Sequence, residues 1–185
     1  MSDMASTGLD RAGPEIEINA VVPTSAPAEQ ALRAYLHDVA SRYYGRPATA
    51  AELEAALAGH PSDDLVAPHG LFLVATAGTD VVCGCVGLAR VGAEVGEVRR
   101  LHVAPGFRRL GLGRRLMLEV EQRASVMGLA ALRLDTRDDL VESQRLYESS
   151  ASARRPPTRA GPTQTGGTPR RSIEASRAGR TPGSR

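Results

Sequence analysis

The sequence predicts a mixed α/β domain in which helices flank a largely antiparallel sheet. Hydrophobic periodicity assigns the elements of residues 15–150 to the order β-α-α-β-β-β-α-β-α. Three strands follow one another in the middle of this order, which favours antiparallel hairpins, and a single β-α-β unit comes after them. The chain of 185 residues is long enough for one such domain with a tail at each end.

The first strand and the first two helices have local sequence signals. Residues 15–22, EIEINAVV, alternate between apolar and polar side chains as a half-buried strand does. Residues 26–44 show one apolar helical face, and Gly45 follows as a helix end. Thr49, with Glu52 three residues later, is the pattern of a capping box and predicts the start of a second helix.

The middle of the chain contains three further strands and a third helix. Residues 71–78 and 80–91 predict a hairpin around a turn, and residues 96–103 predict the next strand. Apolar residues recur at helical spacing from Leu112 onward, and Gly128 ends that helix. The remaining elements are a fifth strand, Ala131–Thr136, and a last helix over residues 138–150.

The composition bears on location and metal content. All basic residues are arginine, and 42% of the residues are hydrophobic, which is enough for a core. Cys83 and Cys85 are expected to point to the same face of one strand as small buried hydrophobes, not as a disulfide or a metal site. No apolar run reaches the ~18 residues of a membrane span, and no secretory signal is recognisable. The expected location is therefore the cytoplasm, with no metal and no membrane partner.

The two ends of the chain differ in composition from the domain over residues 15–150. Residues 1–14 are small and polar, and residues 151–185 are rich in Arg, Pro, Gly, Ser and Thr, so both are predicted to be disordered. The C-terminal segment has eight arginines and one acidic residue, a net charge of +7, whereas the whole chain carries +2. A change of reading frame near Ser150 is one hypothesis for this tail. A nucleic-acid-binding tail is another, which the lack of interleaved aromatic residues disfavours.

The stretch RRLGLG, residues 108–113, lies where a strand passes into a helix. A helix N-terminus exposes unpaired N–H groups and a partial positive charge, and glycine lets an anion approach this backbone closely. The dinucleotide-binding fingerprint would need a glycine where Leu116 stands, and the Gly-Lys-Ser/Thr of a P-loop is absent. On the residues alone, a phosphate site and a helix start with glycines for packing both remain open.

The longer stretch LHVAPGFRRLGLGRRLM resembles motif A of the GCN5-related N-acetyltransferase (GNAT) superfamily. The family pattern, Arg/Gln-x-x-Gly-x-Gly/Ala, is filled here by Arg108, Gly111 and Gly113. The predicted order of elements is similar to that fold as well. The resemblance therefore implies the acyl-CoA N-acyltransferase fold for residues 15–150. The family continues after the last helix with a hairpin that closes the sheet, and the composition after Ser150 predicts that this chain lacks it.

The resemblance implies a binding site for coenzyme A. In the family, the backbone N–H groups of the glycine loop hold the pyrophosphate, and the fourth strand pairs with the pantetheine arm. The loop residues so implied are Arg108, Arg109, Leu110, Gly111, Leu112, Gly113 and Arg114. The strand residues so implied are Leu101, His102 and Val103. The side chain of His102 is an alternative candidate for a base, although a strand histidine is more often packed or solvated.

Two residues are candidates for acid–base catalysis. Glu97 on the fourth strand resembles the family's glutamate that accepts a proton through water, with a solvated strand carboxylate as the alternative. Tyr147 in QRLYESS resembles the motif B tyrosine that protonates the departing thiolate, with a core tyrosine as the alternative. The asparagine that often precedes this tyrosine in the family is replaced by Leu140.

The function that follows is acetyl transfer from acetyl-CoA to an amine by direct attack on the thioester. The acceptor is expected to be a small-molecule amine or an amine of a protein, and a homodimer is left open. A non-catalytic domain that binds coenzyme A, or an inactive truncated acetyltransferase, is the main alternative. The nucleic-acid-binding tail is a more distant one.

Overall fold

The computed structural model describes residues 15–137 and residues 170–175, the last three residues of the first range and all of the second by their backbone alone. The elements are β1 Ile16–Val21, α1 Ala26–Tyr44, α2 Ala50–Gly59, β2 Gly70–Ala77, β3 Val81–Arg90, β4 Val95–Val103, a 3₁₀ turn Pro105–Phe107, α3 Leu112–Val126, β5 Ala131–Arg137 and β6 Arg170–Ala175. The predicted order from the first strand to the fifth is confirmed. The predicted last helix, residues 138–150, lies outside the described residues.

The six described strands form one sheet in the order β1-β2-β3-β4-β5-β6. Every neighbouring pair is antiparallel except β4 and β5, which are parallel and are joined through α3. Successive hairpins account for the antiparallel part, and the single β-α-β unit accounts for the parallel pair. The predicted mixed, largely antiparallel sheet with flanking helices is therefore confirmed.

The strand β6 differs from the predicted disorder of residues 151–185. It pairs antiparallel with β5, from Leu132 opposite Ala175 to Arg137 opposite Arg170. The prediction rested on the composition of the whole segment, and these six residues contain neither glycine nor proline. An edge strand such as β5 presents unpaired N–H and C=O groups, which a neighbouring strand satisfies. The described sheet therefore includes Arg170–Ala175, and the other residues of 151–185 lie outside the description.

Helices cover both faces of the sheet. The buried residues of α3 are Leu112, Leu116, Met117, Val120 and Ala124, and they pack with sheet residues in one core cluster. On the opposite face, α1 packs Ala28, Ala31 and Leu32 against a second cluster around Phe72 and Leu65. Helices thus cover both faces of the sheet, as in a layered α/β architecture.

The two cysteines correct one detail of the sequence analysis. Both thiols are buried and free, as expected, but Cys83 packs in the cluster under α3 and Cys85 in the cluster under α1. The register of β2 and β3 shifts between Ala75 and Thr76, opposite Cys83. A bulge of this kind interrupts the alternation of side chains, so residues two apart no longer share a face.

A second bulge lies in β4. Cys85 of β3 is opposite His102, whereas Gly87 is opposite Arg99, so two β4 residues face one on β3. One of these two, Arg100, has a φ of 57°, in the left-handed region. Just before the bulge, β4 also parts from β5, because the parallel pairing covers only Val95–Val98. In the described part of the chain, Arg99–Val103 therefore has no partner on the β5 side.

We expect Gly70→Ala to destabilise the domain. A Cβ at Gly70 would overlap the carbonyl oxygens of Asp64 and Leu88, which belong to backbone that a side-chain rotation cannot move. Overpacking of this kind lowers the free energy of unfolding by about 1–3 kcal/mol. Gly59→Ala is the matched control, because nothing lies within 4 Å of the added carbon. Urea unfolding of both variants checks this expectation, and equal stabilities would contradict it.

Candidate active site

The loop between β4 and α3 has the backbone that the glycine pattern predicts. Arg109 and Gly111 both lie in the left-handed region, with φ of 63° and 78°, and Gly111 is the N-cap of α3. Two hydrogen bonds bracket the loop, Arg108 N–H to the Pro105 carbonyl at 3.4 Å and Arg115 N–H to the Gly111 carbonyl at 3.1 Å. Between them the N–H groups at the head of α3 have no intrahelical acceptor. They are available to an anion placed over the loop.

The arginines of the loop are not equivalent. Arg109 and Arg114 are exposed, so their charge is presented to solvent. Arg108 is half-buried and its guanidinium is committed to the protein, with Nε donating to the Val103 carbonyl at 2.9 Å and Nη2 to Asp38 Oδ2 at 3.3 Å. Arg108 therefore anchors the loop to β4 and α1, and the free positive charge comes from its neighbours.

The part of β4 that β5 leaves uncovered leads directly into this loop. Leu101, His102 and Val103 stand on the strand after the bulge, and the Ala104 N–H, which donates to the Cys83 carbonyl at 2.9 Å, holds the exit of the strand. The structure thus brings the implied strand residues and the implied loop residues together along one continuous backbone.

The imidazole of His102 is buried against α1. It packs edge-on to the Tyr35 ring at 6.3 Å between centroids, and its Nδ1 lies 3.9 Å from Asp38 Oδ2. Burial lowers the pKa of His102, the Asp38 carboxylate opposes this, and the nearby guanidiniums of Arg108 and Arg42 lower the pKa further. The imidazole is therefore neutral at pH 7 and can accept a proton.

Glu97 is a buried carboxylate, with 5% of the residue exposed, that lies between two guanidiniums. Arg99 Nε donates to its Oε1, and Arg133 of β5 donates to its Oε2 through Nε at 2.9 Å and Nη2 at 2.5 Å. Burial acts to raise the pKa of Glu97, but the hydrogen bonds and charges of the two arginines outweigh it and hold that pKa below 4.5. The carboxylate is thus firmly ionised, and it also ties β4 to β5.

The bulge places two consecutive arginine side chains on the same side of β4. Arg99 Nη1 contacts Asp64 Oδ2 at 2.6 Å. Arg100 Nε lies 3.4 Å from Ser62 Oγ, its Nη2 donates to the carbonyls of His60 at 3.1 Å and Pro61 at 3.3 Å, and its guanidinium lies over the Tyr35 ring at 5.6 Å. All these partners belong to α1 or to the segment between α2 and β2.

Sequence analysis did not single out four residues of this region, Asp38, Arg99, Arg100 and Arg133. The available signal was charge on central strands, because a charged side chain in a covered strand needs a partner. Tyr147, the predicted acid, lies outside the described residues. Within residues 15–134 no cluster of His, Cys, Asp and Glu side chains could hold a metal ion. No helix in the described part of the chain is long and apolar enough to cross a membrane.

The sequence is similar to that of known acetyltransferases. The acetyltransferase (GNAT) family model matches residues 31–151. An IAA acetyltransferase of Azospirillum brasilense is 32% identical over 142 residues, which cover 75% of this chain and 88% of that protein. An uncharacterized N-acetyltransferase of Schizosaccharomyces pombe is 39% identical over 83 residues, and the match spans only 51% of that relative's length and 44% of this chain.

Solved structures show the same fold. A GNAT-family acetyltransferase of Staphylococcus aureus superposes with a TM-score of 0.60 at 16% identity, over 74% of this chain and 84% of that one. A GNAT-family acetyltransferase of Elizabethkingia anophelis, solved with acetyl-CoA bound, superposes with a TM-score of 0.50 at 19% identity, over 72% of this chain and 73% of that one.

We expect Glu97→Gln to destabilise the domain in a pH-dependent way. The pKa of Glu97 is lower in the folded protein than its ordinary value of 4.5, so its stabilising effect is complete above that value. The effect is lost as the pH falls through the folded-state pKa. At pH 7 the variant should lose about 1–3 kcal/mol of unfolding free energy, because the guanidinium of Arg133 loses its buried acceptor.

Urea unfolding at pH 7 and at steps below pH 5 measures this loss. Glu54→Gln is the control, because Glu54 is an exposed partner of Arg33 on the surface. A difference between Glu97→Gln and the parent chain that stays constant down to the lowest pH would contradict the expectation.

Proposed function

The chain belongs to the acetyltransferase (GNAT) family, and from this premise we propose that it transfers the acetyl group of acetyl-CoA to a primary amine by direct attack. Family membership makes it an acyltransferase, and the described geometry supports the particular donor and the particular route. The observation that carries the proposal is the loop over Arg108–Arg114. Its Gly111 is the N-cap of α3 and has a left-handed backbone with φ 78°.

This loop fits a diphosphate for two physical reasons. Its N–H groups between Arg108 and Arg115 converge at a helix N-terminus, where the helix dipole favours negative charge. The exposed guanidiniums of Arg109 and Arg114 add attraction over a longer range. We assign this surface, from Arg108 to Arg114, to the pyrophosphate of coenzyme A. The solved relative with acetyl-CoA bound supports the choice of ligand.

The open edge of β4 fits the rest of the donor. Leu101, His102 and Val103 have backbone groups on the side that β5 leaves uncovered. An extended amide-containing chain can add to such an edge as a strand does. We propose that the pantetheine arm lies there, which brings the thioester to the region between the bulge and Glu97.

The chemical step needs one proton acceptor and one proton donor. A free ammonium has a pKa of about 10, so it must lose a proton before nitrogen attacks the carbonyl carbon. The new C–N bond forms as the C–S bond breaks, and the thiolate then takes a proton. We propose Glu97 as the acceptor through water, because it is ionised. Its lowered pKa limits its strength as a base. The neutral imidazole of His102 is the second candidate for this step.

We propose Tyr147 as the donor to the departing thiolate, on its place in the sequence motif alone. The acceptor class, a small molecule or a protein amine, is not specified by the loop. The main alternative, a domain that binds coenzyme A without catalysis, predicts the same loop and differs only in turnover.

We expect Gly111→Ala to weaken the binding of acetyl-CoA about tenfold. A Cβ at φ 78° costs about 1–2 kcal/mol, so the loop shifts toward another backbone conformation and its N–H groups no longer converge. Gly106→Ala is the control, because Gly106 is exposed in the same connection and its added carbon meets nothing within 4 Å. The measurement is the thermal midpoint against acetyl-CoA concentration, which rises only if the folded state binds the ligand. A folded parent chain whose midpoint ignores millimolar acetyl-CoA would refute the proposed donor.

We expect Tyr147→Phe to lower kcat about a hundredfold and to leave acetyl-CoA binding unchanged. The variant removes the proton donor but keeps the ring, and general acid catalysis contributes roughly 10²–10⁴ in rate. Release of free thiol from acetyl-CoA in the presence of an amine panel measures kcat. Tyr44→Phe, at a partly exposed position on α1, is the control. Coenzyme binding by the parent chain without thiol release for any amine would favour the non-catalytic alternative.

A further inference from the structure

We propose that the acceptor amine carries a carboxylate, and that Arg100 binds this carboxylate on the side of β4 that faces α1. The inference rests on the proposed acetyl transfer and goes beyond it, because it names the chemical class of the acceptor. It starts from a backbone feature, the bulge of β4, and from the charges that this bulge brings together.

The bulge places the side chain of Arg100 on the side of β4 that faces α1. In a regular strand, consecutive side chains point to opposite faces, so Arg99 and Arg100 would lie on different sides of the sheet. Both instead contact the α1 side, Arg99 through Asp64 and Arg100 through Ser62. This placement requires a φ of 57° at a non-glycine residue, a conformation that costs about 1–2 kcal/mol. Such strained residues concentrate at functional sites.

The charges on this face do not balance. Arg99 and Arg133 share the carboxylate of Glu97, and Arg99 also contacts Asp64. Arg100 has no carboxylate within ion-pair distance among residues 15–134, and its described partners are one hydroxyl, two carbonyls and an aromatic ring. Among the described residues, the third carboxylate of this face, Asp38, is held by Arg42 and Arg108, so Arg100 is left without one. A half-buried positive charge without a counter-ion attracts an anion strongly.

Arg100 also has a free donor group for such an anion. Its Nε and Nη2 contact protein acceptors, and no acceptor in the described residues lies against Nη1. The contacts at Nε and Nη2 and the Tyr35 ring hold the guanidinium in place. A carboxylate accepts hydrogen bonds from a fixed guanidinium with strong directional preference. The group is therefore preorganised for a planar anion.

The surroundings suit a small amine that bears this anion. Ser62, which contacts Arg100, also lines a cavity of about 160 Å³ whose apolar walls include Leu32, Leu36 and Leu57. Glu97, the proposed proton acceptor, lies on the same side of β4 three residues earlier. An α-amino acid offers a carboxylate for Arg100 and a side chain for the apolar surface next to Ser62. The next residue, Leu101, begins the strand edge assigned to the thioester arm.

The test compares α-amino acids with their own carboxamides, which keep the amine and the side chain but lose the negative charge. With the full chain and acetyl-CoA, we expect kcat/KM for the acids to exceed that for the amides at least tenfold. Arg100→Gln should lower the ratio of kcat/KM for the acids to kcat/KM for the amides about tenfold or more, mainly through KM for the acids. Arg33→Gln, an exposed arginine of α1, is the control for loss of charge alone.

Two measurements distinguish a failure of the proposed function from a failure of the inference about the acceptor. The acetyl-CoA thermal shift reports the proposed donor site and should be the same in the parent chain, Arg100→Gln and Arg100→Lys. Calorimetric titration of the acids and the amides into the parent chain reports the carboxylate site without any turnover. If acetyl-CoA does not raise the thermal midpoint of the parent chain, the proposed function fails. If the shift is present but acids and amides bind alike, or Arg100→Gln affects both equally, the inference about the acceptor is overturned. Arg100→Lys, which keeps the charge but loses the planar guanidinium with its free Nη1, covers the case in which the glutamine variant does not fold.

Discussion

The site depends on one constraint, the irregular course of β4. A regular strand would continue to pair with β5 and would alternate its side chains across the sheet. The bulge at Arg100 and the end of the β5 pairing at Val98 change both properties at the same place. One edge of the strand becomes open to a ligand, and one face acquires adjacent arginines. The proposed donor site and the proposed acceptor site therefore both depend on a single local distortion.

The distortion is held by charge as well as by packing. Glu97 joins Arg99 of its own strand to Arg133 of β5, at the last residues where the two strands pair. A buried carboxylate with two fixed guanidiniums restricts how far the strands can separate, because each oxygen has an assigned donor. On the loop side, Arg108 fixes the exit of β4 through the Val103 carbonyl and α1 through Asp38. Side-chain contacts of Glu97 and Arg108 thus fix the two ends of Arg99–Val103, the segment that does not pair with β5.

Local signals in the sequence predicted the parts of the fold that depend on neighbouring residues. The capping box of Thr49 and Glu52 and the left-handed Gly45 appear as expected, because their contacts lie within a few positions. The faces of Cys83 and Cys85 were predicted wrongly, because a bulge depends on the partner strand. The pairing of Glu97 with Arg133 joins residues 36 positions apart, which no local pattern indicates. The strand β6 was not predicted, because the prediction used the average composition of residues 151–185 and not the short stretch Arg170–Ala175.

Every fixed cation in the described site is a guanidinium, and the whole chain contains no lysine. A guanidinium stays protonated at any pH at which the domain is folded, so the positive potential over the donor loop does not titrate away. A protonated guanidinium is also no nucleophile toward a thioester. Since no side chain of this protein ends in an amine, an acyl thioester held at the proposed site meets no lysine of its own chain. Lysine self-modification, a side reaction open to acyltransferases in general, is closed to this chain by its composition.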